Sequence, residues 1–100
     1  MAEAIEHLEQ ALRISPEYAD AHYNLGVALW QAGRKPEAME HLEQALRIKP
    51  DFAEAHCNLG IALGDAGRKP EAIAHLEQAL RIKPRLTEAQ NALARLQNHQ

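Results

Sequence analysis

The chain has 100 residues, carries a net charge of −3, and is rich in Ala, Leu, Glu, Gln, Arg and Lys with few aromatics. This excludes a large globular core, and it excludes the positive field by which proteins hold nucleic acids or anionic membrane surfaces. No apolar run approaches the ~20 residues of a membrane span, the opening Met1 to His7 does not read as a secretory leader, and the lone Cys57 excludes an internal disulfide. An all-α cytoplasmic protein is the expectation.

Residues 2–16 read as one amphipathic helix, with Ile5, Leu8, Ala11 and Leu12 at helical spacing and Pro16 as its stop. A second helix runs from about Ala19 to Ala32, with Ala21, Leu25, Ala28 and Leu29 on its apolar stripe. Gly33 supplies the left-handed residue that ends it. Pro36 suits the first turn of the next helix, where a backbone N–H would have no partner in any case. That helix presents Ala38, Leu42, Ala45 and Leu46 and closes with Ile48 before Pro50. Small residues at Gly26, Ala28, Ala38 and Ala45 let the two helices approach closely.

Residues 53–86 then repeat residues 19–52 without a gap and agree with them at 25 of 34 positions. Pro16, Pro50 and Pro84 recur every 34 residues, as do Gly26 with Gly60, Gly33 with Gly67, and Pro36 with Pro70. From Thr87 the first half of the unit begins again. Ala89, Ala92, Leu93 and Leu96 form its inner stripe, and Gln90, Asn91, Arg95, Gln97 and Asn98 surround it, so residues 87–100 read as a solvating cap. The order is half, full, full, half, within a single domain of residues 1–100.

His22, Leu25-Gly26, Leu29, Ala38, Leu42, Ala45 and Pro50, and again His56, Leu59-Gly60, Leu63, Ala72, Leu76, Ala79 and Pro84, resemble the tetratricopeptide repeat over essentially the whole chain. The departures are His for the usual Trp and Leu for the usual aromatics. The resemblance implies a right-handed superhelical solenoid of antiparallel helix pairs. Its leading helices would line a concave side that holds extended peptides, with no catalysis and no cofactor. The phrase Ala-His-Cys-Asn-Leu-Gly is also similar to the non-catalytic repeat region of O-linked N-acetylglucosamine transferases. That likeness implies an asparagine ladder of Asn24 and Asn58, with Asn91 one residue out of step. Members of the family that grip the acidic C-termini of heat-shock chaperones use Lys, Asn and Arg where this chain carries Tyr23, Val27, Glu88 and Ala92. No carboxylate clamp of that kind is expected.

The two full units differ at nine positions, and five of these fall on one face of the leading helix: Asp20/Glu54, Tyr23/Cys57, Val27/Ile61, Trp30/Gly64 and Gln31/Asp65. That face, with Asn24 and Asn58 and with Glu88, Asn91 and Arg95 of the last helix, is the candidate peptide-binding surface. An amide pairs with both the N–H and the C=O of a peptide backbone. Tyr23, Val27, Trp30 and Ile61 add apolar area, and an exposed Trp or Tyr is the commonest binding anchor. Three bland alternatives stand beside this reading: drift on a solvated face, asparagines that tie neighbouring helices together, and a Trp30 packed across Gly64. Asp20, Glu54, Asp65 and Glu88 make the face negative, with Arg95 the only clear cation, so a neutral or basic extended peptide is the expected partner rather than a small-molecule substrate.

His7, His41 and His75 are one repeat apart, a separation of roughly 10 Å or more that precludes shared coordination, so no metal site is expected. His22 and His56 take a packing place between helices as half-buried structural residues. There is no His-Glu-x-x-His, no phosphate-binding Gly loop and no nucleophile with a base at helical reach. Cys57 lies on the candidate face, but a lone thiol is usually inert. The first helix lacks a leading helix to cover it. Self-association of copies through Ile5, Leu8 and Leu12, giving a homo-oligomer, is therefore the second functional expectation.

Overall fold

The computed structural model describes residues 2–98. Those residues form six helices, α1 (Ala2–Ile14), α2 (Ala19–Gln31), α3 (Lys35–Ile48), α4 (Ala53–Asp65), α5 (Lys69–Ile82) and α6 (Thr87–Asn98), and no strand. The all-α reading holds, and the leading helices end one residue earlier than expected. The last two positions of the expected cap lie outside the described residues. The helices fall into two compact units, Met1–Pro50 with α1 to α3 and Asp51–Gln100 with α4 to α6.

Each full hairpin is closed by the same turn. The N–H of Ala32 still reaches Ala28 O at 3.0 Å, Gly33 N–H turns back to Trp30 O at 3.0 Å, and Arg34 N–H reaches Leu29 O at 2.9 Å. This is the Schellman pattern, in which two residues past the helix satisfy its last carbonyls. It requires a left-handed residue, and Gly33 has φ of +81°. Ala66, Gly67 and Arg68 repeat the same bonds to Ala62, Gly64 and Leu63. Arg34 then grips Glu37 through two parallel bonds, 2.9 and 2.7 Å, at the start of α3, and Arg68 does so with Glu71 at the start of α5.

Close approach of the paired helices depends on Gly26 and Gly60. A Cβ on Gly26 would stand 3.0 Å from Leu42 Cγ and 3.1 Å from the Ala38 carbonyl oxygen. On Gly60 it would stand 2.8 Å from Leu76 Cγ. With the glycines in place, Leu25, Leu29 and Leu42 in one unit and Leu59, Leu63 and Leu76 in the other are almost fully buried. Each such side chain contributes roughly 1.5–3 kcal/mol of burial.

In the first unit α1 completes the core. Ile5 is 6% exposed and belongs to a cluster with Leu25, Ala28, Leu29 and Ala38, against which Leu8, Leu12 and Trp30 pack. This corrects the expectation that Ile5, Leu8 and Leu12 form a free association surface: the stripe is occupied by α2. The uncovered side of α1 is that of Ala4, which is exposed, whereas its register mates Ala38 and Ala72 are fully buried. Ile14, at the end of α1, is 84% exposed. In the second unit Cys57, Leu76, Ala79, Ala89 and Ala92 form the cluster, with Ile61, Leu80, Leu86, Leu93 and Leu96 around it. Among the described residues no helix is long and apolar enough to cross a membrane.

Candidate functional site

The leading helix of each unit presents its divergent residues at the 3.6-residue spacing of a single face. On α2, Asp20, Asn24 and Gln31 are exposed, while Tyr23, Val27 and Trp30 are partly buried. The Trp30 ring lies on the Ile5–Leu25–Leu29 cluster, and Lys35 Nζ stands 4.9 Å from its centroid, within cation–π range. Trp30 is thus held by its own unit, through the cluster and through Lys35.

On α4 the same register differs. Asn58 and Ile61 are partly buried and Asp65 is exposed. Glu54 is engaged by Lys83, whose ammonium lies 2.5 Å from its carboxylate. Cys57 is 1% exposed, in contact with the α5 and α6 residues of its cluster. Its expected place on an open face is therefore corrected: α6 packs where the thiol points. Burial, with Glu88 and Glu54 adding negative potential, pushes the Cys57 thiol up to about 11. From α6, Glu88, Asn91 and Arg95 are exposed.

Arg95 and Asp65 both line a cleft between α4, α6 and the start of α5. Its lining includes Gly60, Ile61, Gly64, Lys69 and Leu96, and it encloses about 230 Å³. Lys69 is a cation that sequence reasoning did not place here, because it comes from the following helix. The expectation of Arg95 as the only cation is corrected. In the cleft Lys69 and Arg95 offset Asp65, and Lys83 engages Glu54, while Asp20 on α2 and Glu88 on α6 remain exposed carboxylates of the face.

The histidines are arranged otherwise than their spacing suggested. His22 and His56 are buried, at 9% and 8% exposure, rather than half-buried. His22 Nδ1 lies 3.0 Å from His41 Nδ1, and His56 Nδ1 lies 3.0 Å from His75 Nδ1. The rings are 5.3 Å apart in both pairs. His22 Nε2 donates to the Pro16 carbonyl oxygen at 2.9 Å. On α6 the same register position is Gln90, whose Nε2 donates to the Pro84 carbonyl at 2.8 Å. His7, the register mate of His41, is exposed on α1. The recurrence of His at two positions 19 apart, and of a side-chain donor six residues after Pro16, Pro50 and Pro84, was the available signal for these pairs. No group of three or more metal-ligating side chains forms among the described residues, and His99 lies outside them.

A sequence model of the tetratricopeptide repeat matches residues 1–56 and again residues 36–96. Among solved structures, the MamA protein superposes with a TM-score of 0.90 at 27% identity, covering 97% of this chain and 53% of that one. An O-GlcNAc transferase mutant of Thermobaculum terrenum superposes at 0.86 with 27% identity, over 92% of this chain but 18% of the transferase. The first tetratricopeptide domain of Spaghetti (RPAP3), bound to the HSP90 peptide SRMEEVD, superposes at 0.93 over 97% of this chain and 77% of that one. Its identity of 21% makes it a likeness of fold alone. The chain spans about half the length of the MamA structures it matches. No curated protein sequence matches it.

Proposed function

The chain belongs to the tetratricopeptide repeat family, and on that premise we propose that it is a non-catalytic cytoplasmic scaffold binding an extended, neutral or basic peptide along the faces of its leading helices. The observation that carries this reading is the distribution of change. Five of the nine differences between two otherwise matching units lie on one face of the leading helix, while His-Leu-Glu-Gln-Ala-Leu-Arg-Ile stays intact three times on the trailing helices. Asn24 and Asn58 stay constant on the divergent face and supply paired donors and acceptors for a peptide backbone. Asp20, Asn24, Gln31, Asp65, Glu88, Asn91 and Arg95 are solvent-facing there. Such residues suit a polar rim around apolar contacts from Tyr23, Val27 and Ile61.

An array of uncharged and lysine-containing dodecapeptides probed with the wild type and with Asn24→Ala/Asn58→Ala tests this reading. The double variant is expected to lose at least fivefold in affinity for the peptides that bind, about 1 kcal/mol for lost hydrogen bonds. Unchanged affinities would remove the asparagines from the site.

A second reading, self-association through α1, is favoured by the exposure of Ala4 and Ile14. An aliphatic side chain this exposed at the end of α1 suits a second copy better than solvent. Light scattering of the wild type against Ile14→Asp decides it. A dimer that the variant splits supports the reading, and a monomer in both cases ends it.

A further inference from the structure

The two half-units of this chain are of opposite kinds. Within the chain α1 is a trailing helix with no leading helix of its own, and α6 is a leading helix with no trailing one. Each keeps the apolar side that a hairpin closes. On α1, Ala4, Leu8 and Ala11 are the register mates of Ala38, Leu42 and Ala45. In the full hairpin those three are 0–2% exposed, with Leu42 and the Ala38 carbonyl set against Gly26. On α1, by contrast, Ala4 is exposed, and Leu8 and Ala11 are only partly buried. On α6, Leu93 is partly buried where its mates Leu25 and Leu59 are almost fully so, and Ala94, in the register of Gly26 and Gly60, is exposed.

The polar groups match as well. Across each full hairpin a leading-helix histidine meets a trailing-helix one, Nδ1 to Nδ1 at 3.0 Å, and His22 holds the Pro16 carbonyl through Nε2. Gln90 stands on α6 in the place of His22. Its Nε2 holds the Pro84 carbonyl at 2.8 Å, which leaves Oε1 as an acceptor for a donor on a trailing helix. His7 stands on α1 in the place of His41 and is exposed. Gln90 and His7 are the two halves of one hydrogen bond.

We propose that copies of this chain join head to tail, α1 of one copy seating on α6 of another as the trailing helix that completes its hairpin. This rests on the reading of self-association through α1 and names the surface that α1 meets. The contact is heterologous, so each pair still offers one open α1 and one open α6, and growth continues past the dimer into rings or filaments. Two departures from the full hairpin set its strength. A Cβ at the glycine of those hairpins would stand 3.0 Å from Leu42 Cγ or 2.8 Å from Leu76 Cγ, so Ala94 holds the incoming α1 slightly farther off. Gln97 replaces Leu29 and Leu63, which are almost fully buried. The association is therefore weaker than a hairpin within one chain and rises with concentration.

Light scattering over a concentration series tests this with substitutions at two exposed alanines, Ala4→Leu to block α1 and Ala94→Leu to block α6. The wild type is expected to grow past a dimer as concentration rises. Each variant alone should stay monomeric with its helical circular dichroism spectrum unchanged. An equimolar mixture of the two should form a 1:1 dimer and stop there, because only the α1 of Ala94→Leu and the α6 of Ala4→Leu are open. Ala94→Gly, which restores the glycine of the full hairpins, should assemble at a concentration about tenfold lower than the wild type. Assembly of Ala94→Leu alone, or a mixture that stays monomeric while the wild type assembles, overturns the α6 contact and leaves self-association through α1 in place. A wild type and an Ala94→Gly variant that both stay monomeric overturn the two together.

Discussion

His22 and His41 share one hydrogen bond across the hairpin, Nδ1 to Nδ1 at 3.0 Å, and its direction follows from a third group. The Pro16 carbonyl can only accept, so His22 carries its proton on Nε2 and its Nδ1 accepts from the Nδ1–H of His41. The neutral pair thus ties the loop before α2, α2 itself and α3 together.

Burial, and next the neighbouring His22, hold the His41 pKa below that of a free histidine, although Glu40, Glu9 and Glu37 act in the opposite sense. Burial and then His56 do the same to His75, opposed by Glu71. A depressed histidine pKa means that the unfolded chain binds more protons than the folded one. The pairs' contribution is therefore complete above pH ~6.5 and is lost as pH falls below it. The Tm by circular dichroism should drop between pH 7.5 and 5.5. His22→Gln/His56→Gln keeps a donor for the proline carbonyl, as Gln90 does, and should flatten that drop. A wild-type Tm equal at both pH values would show that the pairs carry no proton-linked stability.

Cys57 should be almost unreactive in the folded protein. With its thiol pushed up to about 11 and its side chain 1% exposed, little thiolate is present or reachable at pH 8. Reaction with an aromatic disulfide reagent is expected to be slow in buffer and complete within the mixing time of a urea-unfolded sample. Equal rates in both would mean that α6 does not cover the thiol.

Two glycines should fail for different reasons when replaced by alanine. Gly60→Ala drives a methyl to 2.8 Å from Leu76 Cγ and 3.1 Å from the Ala72 carbonyl, an overpacking cost of about 1–3 kcal/mol. Gly33→Ala meets no neighbour within 4 Å, but its φ of +81° costs about 1–2 kcal/mol. Urea unfolding separates the two causes through asparagine. Gly33→Asn should recover part of the loss because Asn tolerates the left-handed region, whereas Gly60→Asn should be worse than Gly60→Ala.

The helices were legible because their signals are local: Gly33 and Gly67 end α2 and α4, Pro36 and Pro70 start the next helices, and Pro50 and Pro84 lie beyond the ends of α3 and α5. The candidate site was legible only as a face. Helical periodicity says that Ile5 and Cys57 lie on a stripe, but not which neighbour takes that stripe. Docking of α2 on α1 buried Ile5, and docking of α6 buried Cys57. Periodicity is equally silent on neighbours across a turn, which is why the His22–His41 bond, and the place of Lys69 on the same cleft as Asp65, emerged only from the packing of helices.

Trp30 is the one tryptophan of the chain, and it packs on the Ile5–Leu25–Leu29 cluster of the first unit with Lys35 over its ring. Its emission is therefore an intrinsic, label-free reporter of the first unit, while helical ellipticity reports both. If stacked repeats unfold as one body, the fluorescence and ellipticity curves superimpose; if each unit melts with its own midpoint, they separate, and the coupling free energy between neighbours can be read from a single chain.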